Sequence, residues 1–268
     1  MSPVTDLPVD AGFVEVADRC FVARHAWLDV NVSVVAGDRG LLVVDTHGSE
    51  DAARTVLENV RRLGRGEVVA VVNTHDHYDH TFGNTLFRAA RADLPIHAHE
   101  AAAERIPTVD HVFSSVRVID LGDRLVELIH PGRGHTGGDA VARVPDAGVI
   151  FAGDLVEESA TRPAVPGFGP DCYPLEWPAT LDLVIGMLAE DTVVVPGHGR
   201  PVDADFVRSQ RGEIGMVAEA IRDLAGRGVA PAGMATAAEW PYPVEELADA
   251  FARGYAQLPR PGRALPLV

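Results

Sequence analysis

The sequence predicts an α/β chain built as a four-layer αββα sandwich, two mixed β-sheets flanked by helices. Three observations carry that prediction. Val32-Ser33-Val34-Val35 and Leu41-Leu42-Val43-Val44 flank Gly37-Asp38-Arg39-Gly40, a hairpin signal that opens the chain with antiparallel sheet. Helical and strand periodicities then alternate along the chain, as in mixed sheets covered by helices. Several of the strands end in a His or Asp beside glycine, so that separate loops can converge on one edge of the packed sheets.

After the hairpin, Ser49 can cap a helix that carries Glu50 and Asp51 in its first turn. Its apolar residues Ala53, Val56, Leu57, Val60 and Leu63 recur at helical spacing up to Gly64. Val68-Val69-Ala70-Val71-Val72 reads as a buried strand leading into Asn73-Thr74-His75. A helix over 84–90, a strand over 95–98, a helix over 99–106 and strands over 116–119 and 125–130 follow, then a glycine-rich loop around His135. Residues 139–144 and 149–152 form a predicted hairpin around Pro145-Asp146-Ala147-Gly148, whose second strand ends at Gly153-Asp154.

Residues 159–174 are rich in Pro and Gly and read as a long irregular loop, a kind that is often functional. Phe168, Cys172 and Tyr173 within it either line a pocket or pack the loop down. Trp177, Leu181, Val184, Ile185 and Leu188 mark a helix, and Thr192-Val193-Val194-Val195 a strand running into Pro196-Gly197-His198-Gly199. The rest is largely helical, with Val244, Leu247, Phe251 and Tyr255 marking one amphipathic segment. A single domain over 1–268 is expected, with a core of about 13–201 and a C-terminal helical extension of about 203–268.

Composition narrows the chemistry. Hydrophobic residues make up 47% and charged residues 23% of the 268, an ordinary globular balance. Every basic side chain other than histidine is an arginine, which excludes Schiff-base lysine catalysis. A net charge of -16 disfavours nucleic acid and anionic lipid as partners, and leaves a small-molecule substrate as the expectation. Cys20 and Cys172 lie far apart without zinc-finger or disulfide-framework spacing, which fits a reducing cytoplasm. The first ten residues lack the basic and apolar regions of a secretory signal, and no run approaches a membrane span.

The chemistry is concentrated in His75-Asp76-His77-Tyr78-Asp79-His80. Strand-like backbone puts residues two apart on one side, so His75 and His77 can serve one ion while Asp79 and His80 serve a neighbouring position. Imidazole and carboxylate without thiolate suit zinc, and also iron and manganese. His135, Asp154 and His198 extend the set to seven, each at or after the end of a predicted strand. His25, His97, His99, His111 and His130, taken singly, read as surface or hydrogen-bonded histidines. Trp27 reads equally as part of an overhanging hairpin or as an ordinary half-buried tryptophan.

The pattern His75-x-His77-x-Asp79-His80 followed by His135, Asp154 and His198 resembles the metallo-β-lactamase-fold superfamily. Asn73-Thr74, Phe82-Gly83-Asn84, Gly134-His135-Thr136, Phe151-Ala152-Gly153-Asp154 and Pro196-Gly197-His198-Gly199 extend the resemblance over roughly 13–201. It implies the metallo-β-lactamase fold. It also implies two divalent ions, zinc by prevalence, with His75, His77 and His135 at the first, Asp79, His80 and His198 at the second, and Asp154 bridging. Asp45 matches a position that supports the site from behind, and His47 departs from the glycine often found after it. The activity implied is hydrolysis of an ester, thioester, lactone or related amide carbonyl by a metal-bridging hydroxide, with Asp79 orienting it and relaying its proton.

Asp154 bears on the branch. Most true β-lactamases of this fold place Cys or Ser where this chain has Asp154, whereas glyoxalase-II-like thioesterases and lactonases have aspartate. The absence of lysine departs from glutathione-thioester hydrolases, Glu157 from the tyrosine of homoserine-lactone hydrolases, and His77 from the glutamate of flavodiiron proteins. The alternatives are a persulfide dioxygenase with one iron on His75, His135 and Asp154, a true β-lactamase, and a non-catalytic metal-binding module.

Overall fold

The computed structural model describes residues 7–159 and 165–259; 1–6 of the N-terminal segment, 160–164 of the Pro/Gly-rich loop and 260–268 of the C-terminal extension lie outside the described residues. One sheet contains, in spatial order, β1 (Val14–Ala17), β2 (Cys20–Arg24), β3 (Asn31–Gly37), β4 (Gly40–Val44), β5 (Val68–Val72), β6 (Ile96–His99) and β7 (His111–Phe113). Strands β1 to β4 pair antiparallel and β4 to β7 parallel. The predicted hairpin is present, with Gly37 opposite Gly40 across a two-residue turn. Gly40 has φ +130°, and a Cβ there would lie 2.6 Å from the Glu67 carbonyl oxygen, so the turn requires glycine.

The second sheet holds β8 (Val116–Asp120), β9 (Leu125–Ile129), β10 (Val141–Val144), β11 (Val149–Gly153) and β12 (Val193–Pro196), in the spatial order β12-β11-β10-β9-β8. Only β11 and β12 run parallel. The helices are α1 (Glu50–Leu63), α2 (Tyr78–Thr81), α3 (Asn84–Ala90), α4 (Glu100–Ala103), α5 (Trp177–Ile185), α6 (Ala204–Gly226), α7 (Pro231–Met234) and α8 (Ala248–Gln257). Ser49 caps α1 by accepting from the Ala52 N–H, and Gly64 ends it in the left-handed conformation.

Strand alternation divides the apolar residues of the sheets into three main cores, beside a small fourth cluster of Ala98, Ala102 and Ile106. Val35, Leu42, Val44 and Val72 of the first sheet meet Leu128, Val144, Phe151 and Val195 of the second. Their chain neighbours Val34, Leu41, Val43 and Val71 face outward onto Val56, Leu57, Val60 and Phe87 of α1 and α3. On the far side, Ile150, Ala152 and Val194 pack against Trp177, Leu181, Val207, Ile214, Ile221 and Phe251 of α5, α6 and α8. A side-chain period of two therefore fills two cores from one strand, which is the physical origin of the four αββα layers.

Several elements differ from the expectation. The 99–106 helix is reduced to α4, since Ile106 precedes Pro107 and is biased away from helix. Strand β7, three residues long, is too short for its periodicity to announce it. Val244–Glu246 form a 3₁₀ turn and α8 begins at Ala248, so Leu247 and Phe251 are buried while Val244 and Tyr255 are exposed. Among the described residues no helix is long and apolar enough to cross a membrane.

Of the histidines that the sequence reads as surface or hydrogen-bonded, His99 and His130 bond the carbonyls of Ser114 and Asp139 and His111 is partly exposed, whereas His25 and His97 are buried in packing. His99 stacks on His130 with ring centroids 3.8 Å apart, and His97 faces His111 across β6 and β7. His97 is 4% exposed, and burial, with Arg117 and His111 adding to it, pushes its pKa from 6.5 down to about 4. Below the unfolded value of 6.5 the unfolded chain takes up a proton that the native state refuses until about pH 4. Stability is therefore lost as pH falls through that window, by about 3 kcal/mol at most from this group. His97→Phe is expected to flatten the pH dependence of unfolding between those limits, as measured by denaturant titration, and to leave any catalytic activity in place.

Candidate metal centre

Both sheets deliver their parallel strands to the same edge. Asp45 follows β4, the Asn73-Thr74-His75 turn follows β5, Asp154 follows β11 and His198 lies just beyond β12. His135 comes from the loop between β9 and β10. Ligand sites of open α/β sheets lie at the carboxyl ends of strands, and here two sheets contribute them together.

His75 and His77 converge by a different local route from the one expected. Strand β5 stops at Val72, because Asp45 takes the Thr74 N–H at 2.8 Å and withdraws it from the ladder. The backbone then turns through His75 and Asp76, and His77, extended at φ -71° and ψ 149°, starts α2, which carries Asp79 and His80. Loop geometry, rather than strand alternation, aims the two rings inward.

The structure brings all seven predicted residues together. His75, His77, His135 and Asp154 form one group, and Asp79, His80 and His198 form another, each with its candidate ligand atoms within 4.8 Å of one another. Asp154 lies between them: Oδ1 is 3.3 Å from His80 Nε2, and Oδ2 is 3.3, 3.5 and 3.8 Å from the Nε2 atoms of His198, His135 and His75. Asp79 Oδ2 lies 3.4 Å from His198 Nε2. A Cβ on Gly197 would fall 1.8 Å from Asp154 Oδ1, so glycine is needed there for the carboxylate to occupy its place.

Every histidine of the set has one ring nitrogen committed away from the centre. His80 Nδ1 donates to Asp45 Oδ2 at 2.8 Å, and His135 Nδ1 and His198 Nδ1 donate to the carbonyls of Gly167 and Leu28, both at 2.8 Å. His75 Nδ1 donates to Thr74 Oγ1, whose own hydroxyl donates to Asp45. His77 is turned the other way, with Nε2 on Asp171 Oδ2 at 3.3 Å and Nδ1 facing inward. Outer bonds of this kind fix the tautomer and leave a lone pair directed at the site. Consistent with that, the inward His75 Nε2 and Asp154 Oδ1 are buried with no hydrogen-bond partner among the described residues.

The electrostatics suit cations. Burial opposes charge on His80, yet Asp154, Asp45 and Asp79 overcome it and hold its pKa well above the usual histidine value. His198 is raised in the same way, chiefly by Asp154. Burial, joined by the charge on His80, drives His75 well below its usual value, and burial takes His135 to about 4. Asp154 stays far below the carboxylate range despite its burial, held by His198, His80 and His75. Protons on His80 and His198 thus neutralise carboxylates that divalent cations would neutralise, and metal binding would release them. His77 Nδ1 and His135 Nε2 are only 2.8 Å apart, close enough to need a proton or a cation between them.

The centre opens into a cleft of about 620 Å³, whose lining includes Leu28, Tyr78, Val165, Pro166 and Phe168. That volume suits a small organic molecule. Phe168 both lines the cleft and packs on Trp177, while Cys172 is fully buried and Tyr173 lies between Arg133 and Arg253. Trp27 is half exposed and stacks on His47, with ring centroids 5.3 Å apart, while its neighbours Ala26 and Leu28 line the cleft. His47, with φ +72° where glycine would be easiest, is buried and pushed down to about 4 by burial and by His25. Sequence reasoning missed Thr74, Asp171 and the carbonyls of Leu28 and Gly167. The carbonyls carry no residue-type signal, and Asp171 reaches His77 from 94 positions away, in a loop already marked by its Pro/Gly content.

Comparison with known proteins agrees with this geometry. The sequence matches the model of the metallo-beta-lactamase superfamily over residues 25–198. A type 2 metallo-beta-lactamase from Bacillus cereus is 27% identical over 180 residues, covering 65% of this chain and 68% of that protein. One from Bacillus sp. (strain 170) is 25% identical over 178 residues, with the same coverage of both chains. Among solved structures, a metallo-beta-lactamase from Pontibacter korlensis superposes with a TM-score of 0.67 at 20% identity, over 76% of this chain and 98% of that one. A Pseudomonas aeruginosa enzyme in its mono-zinc form superposes with a TM-score of 0.65 at 18% identity, over 80% and 99%. By sequence and by fold, the chain belongs to the metallo-beta-lactamase superfamily.

Proposed function

We propose that the protein is a dinuclear metal-dependent hydrolase that cleaves an ester, thioester, lactone or related amide carbonyl of a small molecule. The observation that carries this reading is the set of five imidazoles, each tied outward by one nitrogen and turned inward by the other onto Asp154 and Asp79. His75, His77 and His135 would hold a first ion and Asp79, His80 and His198 a second, with Asp154 shared. Such a pair, zinc first among the candidates, supplies a water of lowered pKa and Lewis-acid polarisation of the carbonyl.

The chain's own residues supply the rest. Asp79 lines the cleft, where it is in position to orient a water and relay its proton, and its lowered pKa, set by His80 and His198 against burial, keeps it ionised for the orienting task. Leu28, Val165, Pro166 and Phe168 give an apolar wall against which a substrate can be held while water is excluded. A single-iron dioxygenase built on His75, His135 and Asp154 is the rival reading, and the number and kind of metal bound separates the two. A β-lactam amide is the second reading for the substrate, favoured by the named Bacillus relatives and opposed by the aspartate at position 154. Activity on a panel of esters, thioesters, lactones and lactams is expected for at least one class. It should vanish with chelator and return with Zn²⁺; turnover unaffected by complete metal removal would contradict the proposal.

A further inference from the structure

We propose that Asp171, clamped by Arg105, is a positioning residue that fixes the pose and tautomer of His77 and thereby sets the affinity of the first metal position selectively. The inference rests on the metallo-hydrolase reading above. Asp171 Oδ2 lies 3.3 Å from His77 Nε2, and Arg105 Nη1 lies 3.1 Å from that same oxygen and 3.1 Å from Asp76 Oδ2. Arg105 thus joins the carboxylate of the residue before His77 to the carboxylate that His77 meets.

His77 is the histidine that most needs such a hold. Its side chain is 29% exposed, against 5% or less for His75, His80, His135 and His198, so packing restrains it least. It is also the one that turns Nδ1 inward. Rotating the ring or exchanging its tautomer would put an N–H where the lone pair is required. Asp171 opposes both, because an ionised carboxylate can only accept, so the nitrogen facing it, Nε2, carries the proton.

The selectivity follows from where the outer partners come from. The 165–174 segment meets the first group twice, through Asp171 on His77 and through the Gly167 carbonyl on His135. The second-group histidines are held by Asp45 and by the Leu28 carbonyl, which belong to other loops. Loss of Asp171 should therefore weaken one metal equivalent and spare the other.

The test is titration of chelator-treated full-length protein with Zn²⁺ against a chromophoric competitor, repeated with Co²⁺ and read by its visible absorption. Wild type is expected to bind two equivalents. D171A should weaken one of them by about 10–100-fold and leave the other unchanged. D171N should bind more tightly than D171A, because its amide oxygen can still accept from Nε2–H. R105A, altering a side chain that is 63% exposed, should keep the fold and weaken the same equivalent less than D171A does. The proposal is overturned if D171A binds both equivalents like wild type, if it weakens both alike, or if D171N is no better than D171A. Should D171A fail to fold, R105A binding both equivalents like wild type overturns it. A wild-type protein that binds no metal would instead remove the hydrolase reading on which the inference depends, a separate and recognisable result.

Discussion

Asp154→Ala is expected to abolish turnover, with a loss of at least about 10²–10³-fold on whichever carbonyl class proves active. The carboxylate lies within 3.8 Å of the inward nitrogens of His75, His80, His135 and His198, so it touches both candidate metal groups. Removing it takes an anion from each at once, and both metal equivalents should weaken together. The metal-free protein offers a second readout. Asp154 is the leading cause that raises the pKa of His80 and of His198, so in the variant both should titrate at lower pH by nuclear magnetic resonance. Retained activity with two tightly bound ions would exclude Asp154 from a bridging role.

Asp45→Ala is the second large effect, and it should appear first in stability. The carboxylate is 3% exposed and accepts three hydrogen bonds at 2.8 Å, from the Thr74 N–H, the Thr74 hydroxyl and His80 Nδ1. Alanine leaves these donors buried without their acceptor, and a loss of roughly 3–5 kcal/mol is expected in denaturant unfolding. Asp45 also sits at φ +62°, a left-handed conformation that asparagine tolerates and alanine resists. Asp45→Asn should recover part of the stability, since its amide oxygen can accept from Thr74, while His80 loses the anion that orients it. A partly stable, inactive asparagine variant is the predicted outcome, and full activity in it would remove Asp45 from its orienting role.

Much of this centre is legible in the sequence because four of its ligands fall within His75 to His80 and the others follow strand ends, and strands of buried β-branched residues such as Val68–Val72 and Val193–Val195 declare themselves locally. The hairpin at Gly37–Gly40 and the cap at Ser49 are equally local, set by turn chemistry and by one side chain accepting one N–H. What the sequence conceals are the outer partners. Asp45, which only the family resemblance brings forward, reaches His80 across 35 positions once β4 and β5 pair, and Asp171 reaches His77 across 94, a contact that exists only after two sheets have packed. Backbone carbonyls such as those of Leu28 and Gly167 carry no residue identity at all. Short elements are lost for another reason: β7, with three residues, and the shortened α4, with four, hold too few repeats of a strand or helix pattern to declare it. Substrate identity belongs to the same hidden class, because the cleft wall is assembled from separate loops at Leu28, Tyr78 and Phe168.

Metal stoichiometry tests the central claim most directly. Elemental analysis of the protein purified with and without oxygen, combined with oxygen-uptake assays on persulfides, should give two divalent ions per chain and no oxygen consumption. One iron per chain, with oxygen consumed on persulfides, would contradict the dinuclear hydrolase.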